Sequence, residues 1–117
     1  MTRTVAVYVK DIIQNMVDAE AFIQGLSYET FSSDKKTFNA VVRSIEVIGE
    51  ATKNIPDSVR SRYPDIPWKE MAGMRDKLIH FYFGVDPEAV WLTVKERIPG
   101  IRPIFELILM DLEKRKK

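Results

Sequence analysis

The stretch VAVYVKDIIQNMVDAEAFIQGL, residues 5–26, decides the fold class. Its apolar residues Val5, Val9, Ile12, Met16, Ala19, Ile23 and Leu26 recur in steps of four and three. That interval returns side chains to one face of an α-helix, whereas a half-buried strand alternates every second residue. Lys10, Asp11, Gln14, Asn15 and Asp18 fall mostly off the seam. A second stripe follows at Phe38, Val41, Ile45, Ile48, Thr52 and Ile55. Asp34 or Ser33 stands where a side-chain oxygen can cap its start, and Pro56 stops it. Both segments are long enough to span a bundle.

Beyond Pro56 the texture changes. Pro56-Asp-Ser-Val-Arg-Ser-Arg-Tyr-Pro64 reads as a short helix between prolines. Asp65-Ile-Pro67-Trp68 opens the next helix, with Pro67 near its first turn, where a missing N–H costs nothing. Gly84 is a natural stop for it. Asp86-Pro87-Glu88 restarts the chain as cap, proline and acid. Trp91, Val94 and Ile98 carry a stripe to Pro99-Gly100, a predicted bend or break, and Ile101, Phe105, Ile108 and Leu112 complete it. No strand-like alternation of useful length and no internal repeat occurs. The expectation is an all-α, up-and-down bundle of four main helices plus a short extra one. It forms one domain over residues 1–117, with a frayed basic tail from about 113 to 117. Ile13 and Val17 on the first helix and Val42 and Val47 on the second lie outside the narrow stripes. They imply either one wide core face or dimerisation through helix faces.

Composition narrows the function classes. The chain has 117 residues, with 18 Lys and Arg against 17 Asp and Glu. This balance supplies no global field for nucleic acid, so binding of that kind must come from a local patch. The lack of cysteine excludes a disulfide scaffold and thiol chemistry and suits a reducing cytoplasm. A single histidine and no cysteine leave almost nothing to hold zinc, so no metal is expected. Met1-Thr-Arg-Thr-Val5 does not resemble a signal peptide, and no apolar run approaches the about 18 residues of a membrane span. The expectation is a soluble cytoplasmic protein.

The only histidine lies in Arg75-Asp-Lys-Leu-Ile-His80-Phe-Tyr82. An imidazole gives and takes protons near neutrality. A guanidinium beside it stabilises added negative charge, so the set suits work on a phosphodiester. Five residues turn an α-helix by about 500°, which leaves Arg75 and His80 roughly 140° apart and about 7.5 Å along the axis. Convergence needs the arginine to swing, a local irregularity, or a twofold partner. A purely structural account also fits: His80 as a helix-end cap, Arg75 as an ion-pair anchor to Glu46 or Glu50, and packing aromatics around them. Spacing alone does not decide between the two.

At these residues the chain resembles a known family. Arg75, four residues, His80, one residue and Tyr82 follow Ile66-Pro-Trp68 and Gly73-Met-Arg75 and precede Phe83-Gly84-Val-Asp86. That arrangement closely resembles the HepT-like branch of the HEPN superfamily. Arg43-Ser-Ile-Glu46-Val-Ile-Gly49-Glu50-Ala51 resembles the family's second signature, and Arg60-Ser-Arg-Tyr-Pro64 and Val90-Trp91 also match. The resemblance covers roughly residues 4 to 112. It implies an all-α, HEPN-like ribonuclease toxin that acts without metal, usually as a homodimer with a composite cleft. The usual partner is an MntA-type nucleotidyltransferase antitoxin. The motif implies that Arg75 and His80 are the catalytic pair and that Tyr82 is the residue the partner modifies with AMP. Asp76 stands where Asn is common, and Phe81 where Asp is common, which removes a charge-tuning neighbour of the histidine.

The implied chemistry is consistent from below. RNA carries its own nucleophile, the 2′-OH, next to the scissile phosphate. His80 can take that proton or protonate the leaving oxygen, while Arg75 grips non-bridging oxygens with its planar fork. Arg43, Glu46 and Asp76 are candidates to line or support the cleft. Arg60, Arg62, Lys69 and Lys77 are either RNA-backbone contacts or solvated surface, and Trp68 and Trp91 read as core. The competing expectation is a non-catalytic helical dimer serving as a nucleotide- or nucleotidyltransferase-binding subunit.

Overall fold

The computed structural model describes residues 4–80 and 85–115, with residues 77–80 and 115 described by their backbone alone. Helix α1 (Val5–Ile23) starts at Thr4, whose hydroxyl accepts from the Val7 N–H. Val9, Ile12, Met16, Ala19 and Ile23 of its seam are buried. The helix ends one step earlier than the seam suggests. Gly25 turns the chain at φ +80°, a conformation cheap only for glycine, and leaves Leu26 half-buried beyond it.

Ser27 then caps a helix the sequence reading did not mark, α2 (Tyr28–Ser33), accepting from the Thr30 N–H at 3.1 Å. Six residues are too few to display a period. Its one fully buried side chain, Phe31, packs 5.2 Å from the Trp91 ring and 5.6 Å from Phe38. Asp34 caps α3 (Lys35–Lys53), accepting from the Lys36 and Thr37 N–H groups and, at 2.7 Å, from the Thr37 hydroxyl. These contacts, led by the Thr37 hydroxyl, hold its carboxyl below the usual carboxylate range.

The short predicted helix is α4 (Asp57–Arg60), and its role is structural. The Arg60 guanidinium donates to the carbonyls of Thr52 (2.8 Å) and Ile55 (2.9 Å), closing the negative end of α3. It also lies over the Trp68 ring at 5.9 Å. Arg60 is therefore occupied within the fold rather than presented to RNA. Tyr63 ties the same loop to the far helix, donating to Asp111 at 2.9 Å and accepting the Trp68 indole N–H at its carbonyl.

Helix α5 (Trp68–His80) begins directly after Pro67. The expected stop at Gly84 lies outside the described residues. Asp86 caps α6 (Pro87–Leu92), with Pro87 in the first turn. A π-helical segment, Thr93–Arg97, joins it to α7 (Ile98–Arg115) in one continuous run. The predicted break at Pro99-Gly100 does not occur; the helix runs on through it, with a π-helical turn just before it. In α geometry the Pro99 ring would crowd the carbonyl four residues back. Here the Ile98 N–H instead reaches five residues back, to Thr93, and the wide turn absorbs the proline. The helix also carries through Glu113 and Lys114, past the start of the expected frayed tail.

The outcome is the all-α, up-and-down bundle: α1, α3, α5 and the α6–α7 run, with α1 packed on α3 and α7, and α3 on α5. Trp68 and Phe105 meet edge to face at 5.5 Å in the core. Thr52, fully buried on the α3 stripe, satisfies its hydroxyl on the Ile48 carbonyl at 2.6 Å. Of the residues outside the stripes, Ile13 and Val42 pack against this core, whereas Val17 is exposed. No described helix is long and apolar enough to cross a membrane.

Candidate active site at the crossing of α3 and α5

The two helices cross at Gly49. A Cβ there would collide with the Arg75 side chain and lie 3.0 Å from the Met71 backbone carbonyl. Without it, α5 sits directly on α3 and lays Arg75 across a polar stripe of that helix. The stripe is Arg43, Glu46, Glu50 and Asn54, whose spacing keeps them on one face. Arg75 Nε forms an ion pair with Glu50 Oε2 at 3.2 Å, and Nη1 donates to Asp76 Oδ1 at 3.1 Å. Asp76 Oδ1 accepts in addition from Lys53 Nζ. Glu50, Arg75, Asp76 and Lys53 thus form one chain of alternating charge across the crossing. The hydrogen bond from Lys53, and next that from Arg75, hold the Asp76 carboxyl below the usual range.

Arg75 also lines a groove of about 400 Å³. Helix α1 supplies Tyr8 and Asp11 to it, and α3 with its C-cap Asn54 supplies Arg43, Glu46, Val47, Glu50, Ala51 and Asn54 itself. The Arg75 side chain keeps 28% of its surface exposed there. Arg43 and Glu46 form only a long 3.9 Å pair, and Arg43 is 75% exposed, so it is available to a ligand. Asp11, Glu46 and Glu50 offset Arg43 and Arg75, so the groove is not a plain basic track. An incoming phosphate would have to compete with Glu50 and Asp76 for Arg75. Among the described residues, no group of three or more His, Asp or Glu side chains is arranged to hold a metal ion.

Four of the expected site residues therefore come together. Arg75, Arg43 and Glu46 line one groove, and Asp76 is bonded to Arg75. Of the two anchors considered for Arg75, the structure selects Glu50. His80 is the last described residue of α5, and its side chain lies outside the described residues, as does Tyr82 altogether. The sequence reading missed Tyr8, Asp11, Lys53 and Asn54, and with them the role of Gly49. One signal was present: a mid-helix glycine beside polar residues spaced on a single face. Arg62 lies 3.9 Å from Asp111, again a contact within the fold.

Residues 12–108, from α1 into α7, match the family described as Ribonuclease HepT-like. The chain belongs to the HepT-like ribonuclease family. Its HepT-like relatives include a Methanocaldococcus jannaschii protein named "Putative RNase", 50% identical over 95% of this chain and 92% of the relative. A Thermococcus cleftensis protein named "Probable ribonuclease HepT" is 50% identical over 91% of this chain and 96% of the relative. No solved structure matches the chain significantly. The HepT-like span contains the whole α3–α5 crossing and the positions of His80 and Tyr82.

Proposed function

We propose that this HepT-like protein is a metal-independent endoribonuclease, the toxin of a type VII HEPN/MNT pair acting in the cytoplasm. The observation that carries the reading is Arg75, held at the rim of an open groove by a chain whose relatives are named as ribonucleases. In the proposed reaction the ribose 2′-oxygen attacks the adjacent phosphorus and the bond to the 5′-oxygen breaks. The products are a 2′,3′-cyclic phosphate and a 5′-hydroxyl. His80 handles the proton leaving the 2′-OH or the one arriving at the 5′-oxygen, and Arg75 stabilises the added charge on the non-bridging oxygens. One histidine per chain is short for both proton transfers. A homodimer that brings two His80 side chains to one cleft supplies the second.

Silencing belongs to the same proposal. The Tyr82 phenol oxygen attacks the α-phosphorus of ATP on an MntA-type nucleotidyltransferase, pyrophosphate leaves and the phenol proton is lost. The resulting AMP places bulk and negative charge where the RNA backbone must lie.

The test is cleavage of a labelled RNA in EDTA by purified protein, with His80→Ala in parallel. Cleavage by the native chain alone supports the reading. A second reading, a non-catalytic helical dimer that binds a nucleotide or a nucleotidyltransferase, is favoured by Arg75 already being paired with two carboxylates. Inactivity of native protein whose intact mass shows no AMP, over several RNAs, selects that second reading.

A further inference from the structure

We propose that Glu50 is a positioning residue for Arg75, an inference that rests on the ribonuclease reading. A guanidinium has five N–H donors in a fixed plane. The Glu50 carboxylate pairs with Nε at 3.2 Å from across the helix crossing, and Asp76 takes one Nη1–H from the same helix. Among the described residues the remaining donors, all at the Nη end, have no partner, and Arg75 borders the groove. With its inner edge held by α3, the fork meets a phosphate with its Nη end rather than sideways, in one orientation. Asp76, the next residue on the shared helix, reaches α3 only through the long Lys53 side chain, a less direct hold on that plane than a carboxylate of α3 itself. The close approach at Gly49 brings the two helices near enough for Glu50 to do so.

The arrangement has a cost in binding. Glu50 partly cancels the charge of Arg75 and adds a carboxylate to a groove that must admit an anionic backbone. Orientation and charge therefore pull in opposite directions. Glu50 raises turnover by fixing the fork and weakens ground-state binding by its charge. Because its side chain is 57% exposed, removing it perturbs folding little.

Steady-state cleavage of one RNA by the native chain, Glu50→Gln and Glu50→Ala separates these effects, with thermal midpoints measured alongside. For Glu50→Ala, kcat falls by about ten- to a hundredfold, the scale of a misplaced catalytic group. KM falls by about two- to fivefold as the repelling charge is removed, and the midpoint stays near native. Glu50→Gln keeps the length and an acceptor oxygen, so it recovers part of kcat while KM stays low. An unchanged kcat in Glu50→Ala, or a loss that tracks the midpoint with KM unmoved, overturns the positioning role and leaves the nuclease reading intact. A native chain whose intact mass shows no AMP and that leaves several RNAs uncut overturns both.

Discussion

A methyl group at position 49 is the smallest change that tests the crossing. Gly49→Ala sets a Cβ against the Arg75 side chain and the Met71 carbonyl, and the carbonyl can yield only if α5 moves as a whole. The expected cost is about 1–3 kcal/mol, typical of overpacking. It should appear as a lower urea midpoint together with weaker RNA cleavage; an unaltered midpoint and native cleavage would contradict the geometry. Acid should open the same cluster from the other side. The Asp76 carboxyl is held below its ordinary value by Lys53 and Arg75, so the unfolded chain takes up this proton first as pH falls. The stabilisation is fully present above the ordinary pKa of about 3.9 and is lost as pH drops through the lowered value. The difference in thermal midpoint between native protein and Asp76→Asn is therefore constant above about pH 5 and closes in stronger acid. A difference that persists unchanged into that range would rule the network out as its source. Arg43, Glu46, Arg75 and Asp76 were legible as candidates because local motifs carry them. The Gly49–Arg75 contact was not, since periodicity shows which face a helix buries but not where a second helix crosses it.

At the scale of elements, the end of α3 depends on a residue outside it. Arg60 supplies the Thr52 carbonyl in the last turn of that helix, and the Ile55 carbonyl just beyond it, with charged donors, and the α3 surface carries most of the groove. Arg60→Ala should cost about 1.5–3 kcal/mol, the range for hydrogen bonds from a charged group. Urea unfolding reads this directly, and a change below about 0.5 kcal/mol would mean that solvent replaces the guanidinium. The long seams of α1 and α3 were legible because nineteen residues give several turns of pattern. The six residues of α2 give fewer than two turns, so only the Ser27 cap and Phe31 betray that helix. The helix runs unbroken past Pro99 for a different reason. A proline breaks an α-helix by crowding one carbonyl, and the π segment ahead of it moves that carbonyl away.

Among the described residues Val17, Phe22, Leu92, Leu107 and Met110 are exposed. The proposed homodimer predicts a sedimenting mass near twice 13.6 kDa at micromolar concentration. A monomer under conditions in which RNA is cut would remove the second His80 from the mechanism and require one imidazole to serve both proton transfers. The bundle itself was legible in the sequence because each long helix is amphipathic. Assembly was not, because Ile13 and Val42, off the narrow stripes, are absorbed into the core of a single chain.

In the proposed reaction the ribose 2′-oxygen attacks the phosphate under the control of Arg75 and His80. Mass analysis of the RNA ends left by the native chain tests it most directly, with Arg75→Lys in parallel. The expected ends are 2′,3′-cyclic phosphate and 5′-hydroxyl. Arg75→Lys should lose most of the activity, because a point charge does not replace the planar fork. Ends bearing 5′-phosphate and 3′-hydroxyl would show that water, not the 2′-oxygen, attacks, and would rule the proposed reaction out.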